Sequence, residues 1–242
     1  MKATRIFVIA AIAGAMLTGC KKDNGDDPLI EVVVFMQWVK QESYYDWFNI
    51  CAMTPDGQRK VTLLTYDALS SQHFGYCQPQ LSPDGSRLLV NNSAPEPNWQ
   101  HIMEYNLASK EMRDIYSVDN GNVTTPVYHP GGSKIAFSHQ NIDEKNFIFT
   151  INTDGTGLVS YGNLDGNYRL ANPGYTPDGN TLILTSHPNA TDRFISTMKA
   201  DGNGYRRIIE TKDDRFFHAI AISNTQLMYV WADDWYAKKS AI

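Results

Sequence analysis

The chain has 242 residues, 42% of them apolar, 12% aromatic and 19% charged, with a formal net charge of −5. This composition excludes wholesale disorder, and the lack of a dense Lys/Arg run after the N-terminal segment excludes nucleic acid as the partner, because phosphate binding needs a clustered basic surface. The length suits one large all-β domain or two small domains. At the N-terminus, Lys2 and Arg5 precede the apolar run IFVIAAIAGAML. That run is about half the length a membrane-spanning helix needs, and small residues follow it, which is the pattern of an export signal.

The end of the run, LTGC from Leu17 to Cys20, resembles the lipobox of bacterial lipoproteins, in which the cysteine becomes the lipidated first residue after cleavage. On that resemblance residues 1–20 are a lipoprotein signal and Cys20 carries the membrane anchor; a plain secretory signal with a chance cysteine is the alternative. The acyl chains of a lipoprotein together give a stable hold, whereas one chain alone is marginal. Residues 21–28, KKDNGDDP, read as a short flexible tether. Asp23, Asp26 and Asp27 within it resemble a signal that sends lipoproteins to the cell surface, and a solvated linker explains them equally well.

From residue 29 onward the chain repeats. LSPDGSRLLV (Leu81 to Val90), YHPGGSKIAF (Tyr128 to Phe137) and YTPDGNTLIL (Tyr175 to Leu184) follow one another at intervals of 47 residues. The proline sets φ and the glycine supplies a positive φ, so each copy reads as a tight reversal between two strands. A second turn shares the period: TPDGQ after Met53, TDGT after Asn152 and ADGN after Lys199, with Ala108-Ser109-Lys110 in its place in the second copy. A strand precedes and another leaves each of these turns. Four short strands per copy predict an all-β fold, a β-propeller of four-stranded blades.

The two turn motifs together, PxxSPDGxxLxx followed by xxMxxDGxxxxxLT, resemble the TolB-like propeller repeat of bacterial envelope proteins over nearly all of residues 30 to 232. The resemblance implies a toroid of blades around a channel within a domain spanning residues 29–242. The first unit, beginning IEVVVFMQW, matches the second strand of a blade, and HAIAIS with QLMYVW match the first two strands of the last. Three whole and two partial blades are thus expected, about five in all. Either the chain is cut at Ile242 from a ring of six or more, the favoured reading because native chains avoid a bare blade edge, or the ends close an unusually small ring.

The variable loops are expected on the face opposite the turns: Val39–Trp47, Asn92–Gln100, His139–Asn146, His187–Arg193 and Ala232–Lys239. Their aromatics, amides and carboxylates suit a peptide, a glycan or another protein, and equally the solvated loops of an interaction scaffold. Alignment on the Pro-Asp-Gly turn puts Gln78, Thr125 and Asn172 in one row, each before a proline at the start of an innermost strand, with His218 one place out, opposite Cys77, Thr124 and Ala171. Bordering a channel, such groups can line a small-ligand pocket or merely tolerate water. His139 and His187 occupy nearly equivalent positions, but a pair without a third ligand does not make a metal site, and neither metal nor cofactor is expected. No G-x-S-x-G is present. Cys51 and Cys77 can pair in an exported chain or serve as core filler. Asp213, Asp214, Asp233 and Asp234 read as surface carboxylates.

The leading expectation is therefore a non-enzymatic envelope lipoprotein, anchored in the membrane with its propeller on the periplasmic or surface side. Its partner is an envelope protein or a small ligand or glycan. The rival is a carbohydrate-active enzyme, because some polyuronate lyases are built from similar repeats. That chemistry needs convergent basic and imidazole groups. Arg169 and Arg215 are the basic residues near the starts of the inner strands, and a cluster of His73, His218 and Arg215 would favour the enzyme.

Overall fold

In a computed structural model, residues 32–42, 45–65, 79–93, 99–119, 121–143, 145–162, 164, 169–186, 192–212 and 215–232 are described. The signal, Cys20 and the tether lie outside them. Among the described residues there is no helix long and apolar enough to cross a membrane, and the regular structure is all β. The first sheet holds β1 (Val33–Glu42), β2 (Tyr45–Met53) and β3 (Lys60–Leu64). The second holds β4 (Gln80–Leu81), β5 (Arg87–Ser93), β6 (Trp99–Asn106) and β7 (Met112–Asp119). The third holds β8 (Asn122–Tyr128), β9 (Lys134–Gln140), β10 (Asn146–Asn152) and β11 (Val159–Tyr161). The fourth holds β12 (Leu170–Tyr175), β13 (Thr181–Ser186), β14 (Asp192–Lys199) and β15 (Arg206–Lys212), and the last β16 (Arg215–Ala221) and β17 (Leu227–Ala232). Each sheet is an antiparallel meander in chain order, so the expected strands two to four of the first unit and one and two of the last are the ones found.

The turns form for local reasons. Gly85 N–H donates to Ser82 O at 2.8 Å with Gly85 at φ +70°, and the Asp84 carboxylate accepts from the Ser82 hydroxyl at 2.5 Å and from Ser86 N–H at 3.1 Å. The copies at His129 and Thr176 close the same way, each at 2.8 Å. Where Ala-Ser-Lys replaces Asp-Gly, Lys110 itself takes the left-handed conformation at φ +64°, a strain glycine would not incur. The two turns of a blade touch: Leu107 N–H meets Ser86 O at 3.0 Å, Thr153 meets Ser133 at 3.0 Å and Ala200 meets Asn180 at 2.9 Å. Both turn types therefore lie on one face.

Alternation along the strands buries one sheet face against the preceding blade and the other against the next. Ile50, Leu64, Leu88 and Val90 join the first two sheets; Leu89, Ile102, Ile135 and Phe137 join the second and third; Ala136, Ile148, Leu170 and Leu184 join the third and fourth; Ile183, Ile195 and Ala219 join the fourth and fifth. Each fully buried Leu or Ile contributes about 1.5–3 kcal/mol. One expected loop is shorter than its sequence suggests: between Val39 and Trp47, β1 runs on to Glu42 and β2 starts at Tyr45, with Lys40 opposite Trp47 and Glu42 opposite Tyr45. Aromatic residues favour cross-strand pairing enough to lengthen the hairpin.

Candidate functional site

The inner strands bear the candidate row. In β8 two residues, Thr125 and Pro126, occupy the space between the pairs Thr124↔Ser138 and Val127↔Ala136, so the strand carries one extra residue there. In β12 Asn172 and Pro173 do the same between Ala171↔Thr185 and Gly174↔Ile183. Both bulged residues are left-handed, Thr125 at φ +52° and Asn172 at φ +49°. That backbone is uncommon for any non-glycine and an outlier for a β-branched threonine. The strain recurs at matching positions in two blades, so it belongs to how a blade starts. It is also where such strain is often functional.

The polar groups of the row are used between strands and blades. The Thr125 and Ser138 hydroxyls are 3.3 Å apart, Ser138 Oγ accepts the Asn172 backbone N–H at 3.1 Å, and the Asn172 side-chain amide donates to Thr185 Oγ1 at 2.9 Å. Thr185 in turn donates to Ala171 O at 3.3 Å. In the preceding blade the Asn91 amide donates to Val123 O at 3.2 Å. Thr125 and Asn172 are thus brought together through Ser138. Gln78 lies outside the described residues. His218 sits in β16 in a regular pair with Val230; the register shift there falls between Phe216 and His218, so His218 is beside the bulge. Sequence alignment on the turn missed Asn91, Ser138 and Thr185, all buried. The same 47-residue interval on the second strand would have found them.

A second polar centre lies between the second and third blades. Glu104, 2% exposed, accepts the Tyr128 phenol O–H at 2.8 Å, the Arg113 Nε–H at 2.9 Å and Arg87 at 3.4 Å. Arg113 also donates to Thr153 O at 2.9 Å, tying β7 to the turn after β10. Burial, and then the Glu104 carboxylate, push the Tyr128 phenol far above its ordinary range. The geometry is that of a clamp: the acceptor's lone pairs are filled from both blades.

On the loop side, His139 packs against Phe149 with ring centres 5.4 Å apart and faces the Tyr116 hydroxyl at 3.3 Å; burial lowers its pKa. Beyond it, Asn141 Oδ1 accepts the N–H groups of Asp143 at 3.1 Å and Lys145 at 3.0 Å, giving the β9–β10 loop a fixed shape with Ile142, 81% exposed, at its tip. His187 and His73 lie outside the described residues, among which no group of three or more His, Cys, Asp and Glu side chains could hold a metal ion. Cys51 is a buried free thiol near Gln37 Oε1 at 3.6 Å and Thr62 Oγ1 at 3.8 Å; Cys77 is outside the described residues.

Successive antiparallel sheets of up to four strands, packed face to face through shared cores, define a β-propeller. Solved structures agree. The chain is similar to a protein assigned as TolB from Agrobacterium tumefaciens, with TM-score 0.58 and 16% identity over 74% of this chain and 62% of that one. It is similar to the nidogen/laminin complex, with TM-score 0.61 and 14% identity over 82% and 66%. It is also similar to an oligogalacturonate lyase from Vibrio parahaemolyticus, with TM-score 0.56 and 16% identity over 77% and 52%. The chain spans between about half and two thirds of the length of these structures. No family model and no curated protein sequence matches it. The fold is that of the TolB-like propellers, and at these identities the likeness extends to the fold alone.

Proposed function

We propose that this chain is a non-enzymatic lipoprotein of the bacterial cell envelope, anchored through Cys20, whose propeller holds its loop face toward a protein or glycan partner. The observation that carries the reading is the use made of the row: Thr125 and Asn172 spend their polar groups on Ser138 and Thr185, bracing the third blade against the fourth. Groups so committed support a scaffold more than a reactive channel, because a catalytic group must be available to its substrate. The loop side, by contrast, offers ordered and exposed chain around Ile142. The neighbours are a protein complex as well as a lyase, so the fold admits both readings.

The test uses the full-length chain in its envelope, carrying a photo-crosslinking residue at position 142 or, for comparison, at position 58 on the turn face. A partner adduct from 142 and none from 58 is expected. Turnover of a polyuronate by the purified chain would overturn the non-enzymatic reading. Anchoring is tested separately: Cys20→Ser is expected to release the chain from the membrane fraction, and retention there would contradict the lipoprotein.

A further inference from the structure

Cross-strand pairing sets Asn122 of β8 opposite Gln140 of β9, and Gln140 opposite Asn146 of β10. Residues directly opposite in an antiparallel sheet share a face, so three side-chain amides line up across three strands, about 4.8 Å from strand to strand. Two residues along, Thr124, Ser138 and Ile148 share that face, and Ile148 enters the core built with Leu170 and Leu184 of the fourth sheet. The row therefore faces the crevice between the third and fourth blades, at its loop end, above Ser138 and Asn172. Arg169, exposed, adjoins the row through an isolated parallel bridge to Asn146. Asn146 Oδ1 is shielded from water and has no hydrogen-bond partner, a condition native structures rarely leave unmet.

We infer that this crevice binds an acidic oligosaccharide, an assignment that rests on the reading of the loop face as a binding surface. Each amide offers both donors and an acceptor, the mixture that vicinal hydroxyls require. Asn146 Oδ1 needs a donor, which a sugar hydroxyl supplies and a bare carboxylate or phosphate does not. The Arg169 guanidinium matches a planar carboxylate in a two-pronged geometry, which a neutral sugar cannot use. A ligand with hydroxyls along one edge and a carboxylate beside them satisfies both demands together.

Titration calorimetry on the detergent-solubilised full-length chain compares a uronate tetramer with a neutral glucose tetramer. The uronate is expected to bind about tenfold tighter, the value of one charge-assisted contact. Arg169→Gln removes that preference, Asn146→Leu weakens both tetramers, and Arg59→Gln on the turn face changes neither. Melting curves confirm that each variant folds; Gln140→Ala is the second amide variant should Asn146→Leu fail to fold. Failure of the wild-type chain to bind the uronate, equal binding of the two tetramers, or a preference that survives Arg169→Gln would overturn the assignment. So would an acidic tetrapeptide that binds in the uronate's place with the same sensitivity to these variants. Loss of the site with crosslinking at 142 intact would leave the scaffold reading standing, whereas binding followed by cleavage would keep the site and remove the non-enzymatic reading.

Discussion

Tyr128 donates its phenol O–H to Glu104 Oε1 at 2.8 Å across the junction of the second and third blades, and the same carboxylate takes Arg113 and Arg87 from its own blade. Tyr128→Phe removes one bond to a charged acceptor and is expected to cost about 1–2 kcal/mol. Glu104→Ala leaves two guanidinium groups and a buried phenol without their acceptor. Breaking a fully buried pair costs about 3–5 kcal/mol, but Arg113 is 49% and Arg87 31% exposed, which lowers the expectation to about 2–3 kcal/mol. Urea unfolding checks both; midpoints equal to the wild type would show that the clamp does not hold the blades.

The left-handed bulges make a paired prediction. Thr125 carries a β-branched side chain at φ +52°, while its counterpart Asn172 is of the type that tolerates that region. Thr125→Asn is expected to raise stability by about 0.5–1 kcal/mol, and Asn172→Val to lower it by about 2 kcal/mol or more through strain and loss of the bond to Thr185. Thermal midpoints moving in opposite directions would bear this out. A stabilised Asn172→Val would show the bulge to be free of strain.

Gly179 and Gly57 both sit at φ +74°, yet a Cβ on Gly57 meets nothing within 4 Å, whereas one on Gly179 would lie 2.2 Å from His129 Nε2. His129 is held edge-on against Tyr175 with ring centres 5.0 Å apart and accepts the Gly131 N–H at 2.9 Å, so it cannot yield freely. Gly57→Ala should cost about 1–2 kcal/mol from backbone strain alone. Gly179→Ala should cost at least about 1 kcal/mol more, and a His129→Ser background should return that excess. Equal losses for the two alanines in the wild-type background would show that the His129 contact relaxes without cost.

Stability should fall in two separate windows on acidification. Burial depresses the His139 pKa below its ordinary 6.5, so the unfolded chain takes up the proton first; stability is full above that value and is lost as pH falls toward the folded value. The turn aspartates act lower: the Thr176 hydroxyl and then the Asn180 N–H hold Asp178 below 3.8, and Thr156 does the same for Asp154. Their contribution is present above about pH 4 and is lost below it. Melting midpoints at about pH 7.5, 5.5 and 3.5 test this. His139→Gln should flatten the first step and leave the second; an undiminished first step would assign it to another group.

The 47-residue interval, the turns and the strand count are legible in the sequence because their causes are local. A proline that presets φ, an aspartate that accepts from a hydroxyl two residues before it and a glycine free to turn left all act within five or six residues. The candidate row was legible only in part. Thr125 and Asn172 align by counting, but the serine that joins them bonds across 34 residues of chain, and the Asn91–Val123 bond across 32. Glu104 gave no sign that it is buried, since a lone carboxylate in a strand is ordinarily a solvated one. The extent of the β1–β2 hairpin was misjudged because polar residues at Lys40, Gln41 and Glu42 read as loop until Tyr45, Asp46 and Trp47 pair with them.

The sequence by itself determined that this protein is a series of four-stranded units with tight turns on one face, because strand alternation and turn chemistry need only near neighbours. The tertiary structure alone decided which polar groups are consumed between blades and which remain at the loop-side crevice. Those contacts depend on the packing of one unit against the next, and no spacing within a unit encodes which side chain of the neighbour will stand within a hydrogen bond's reach.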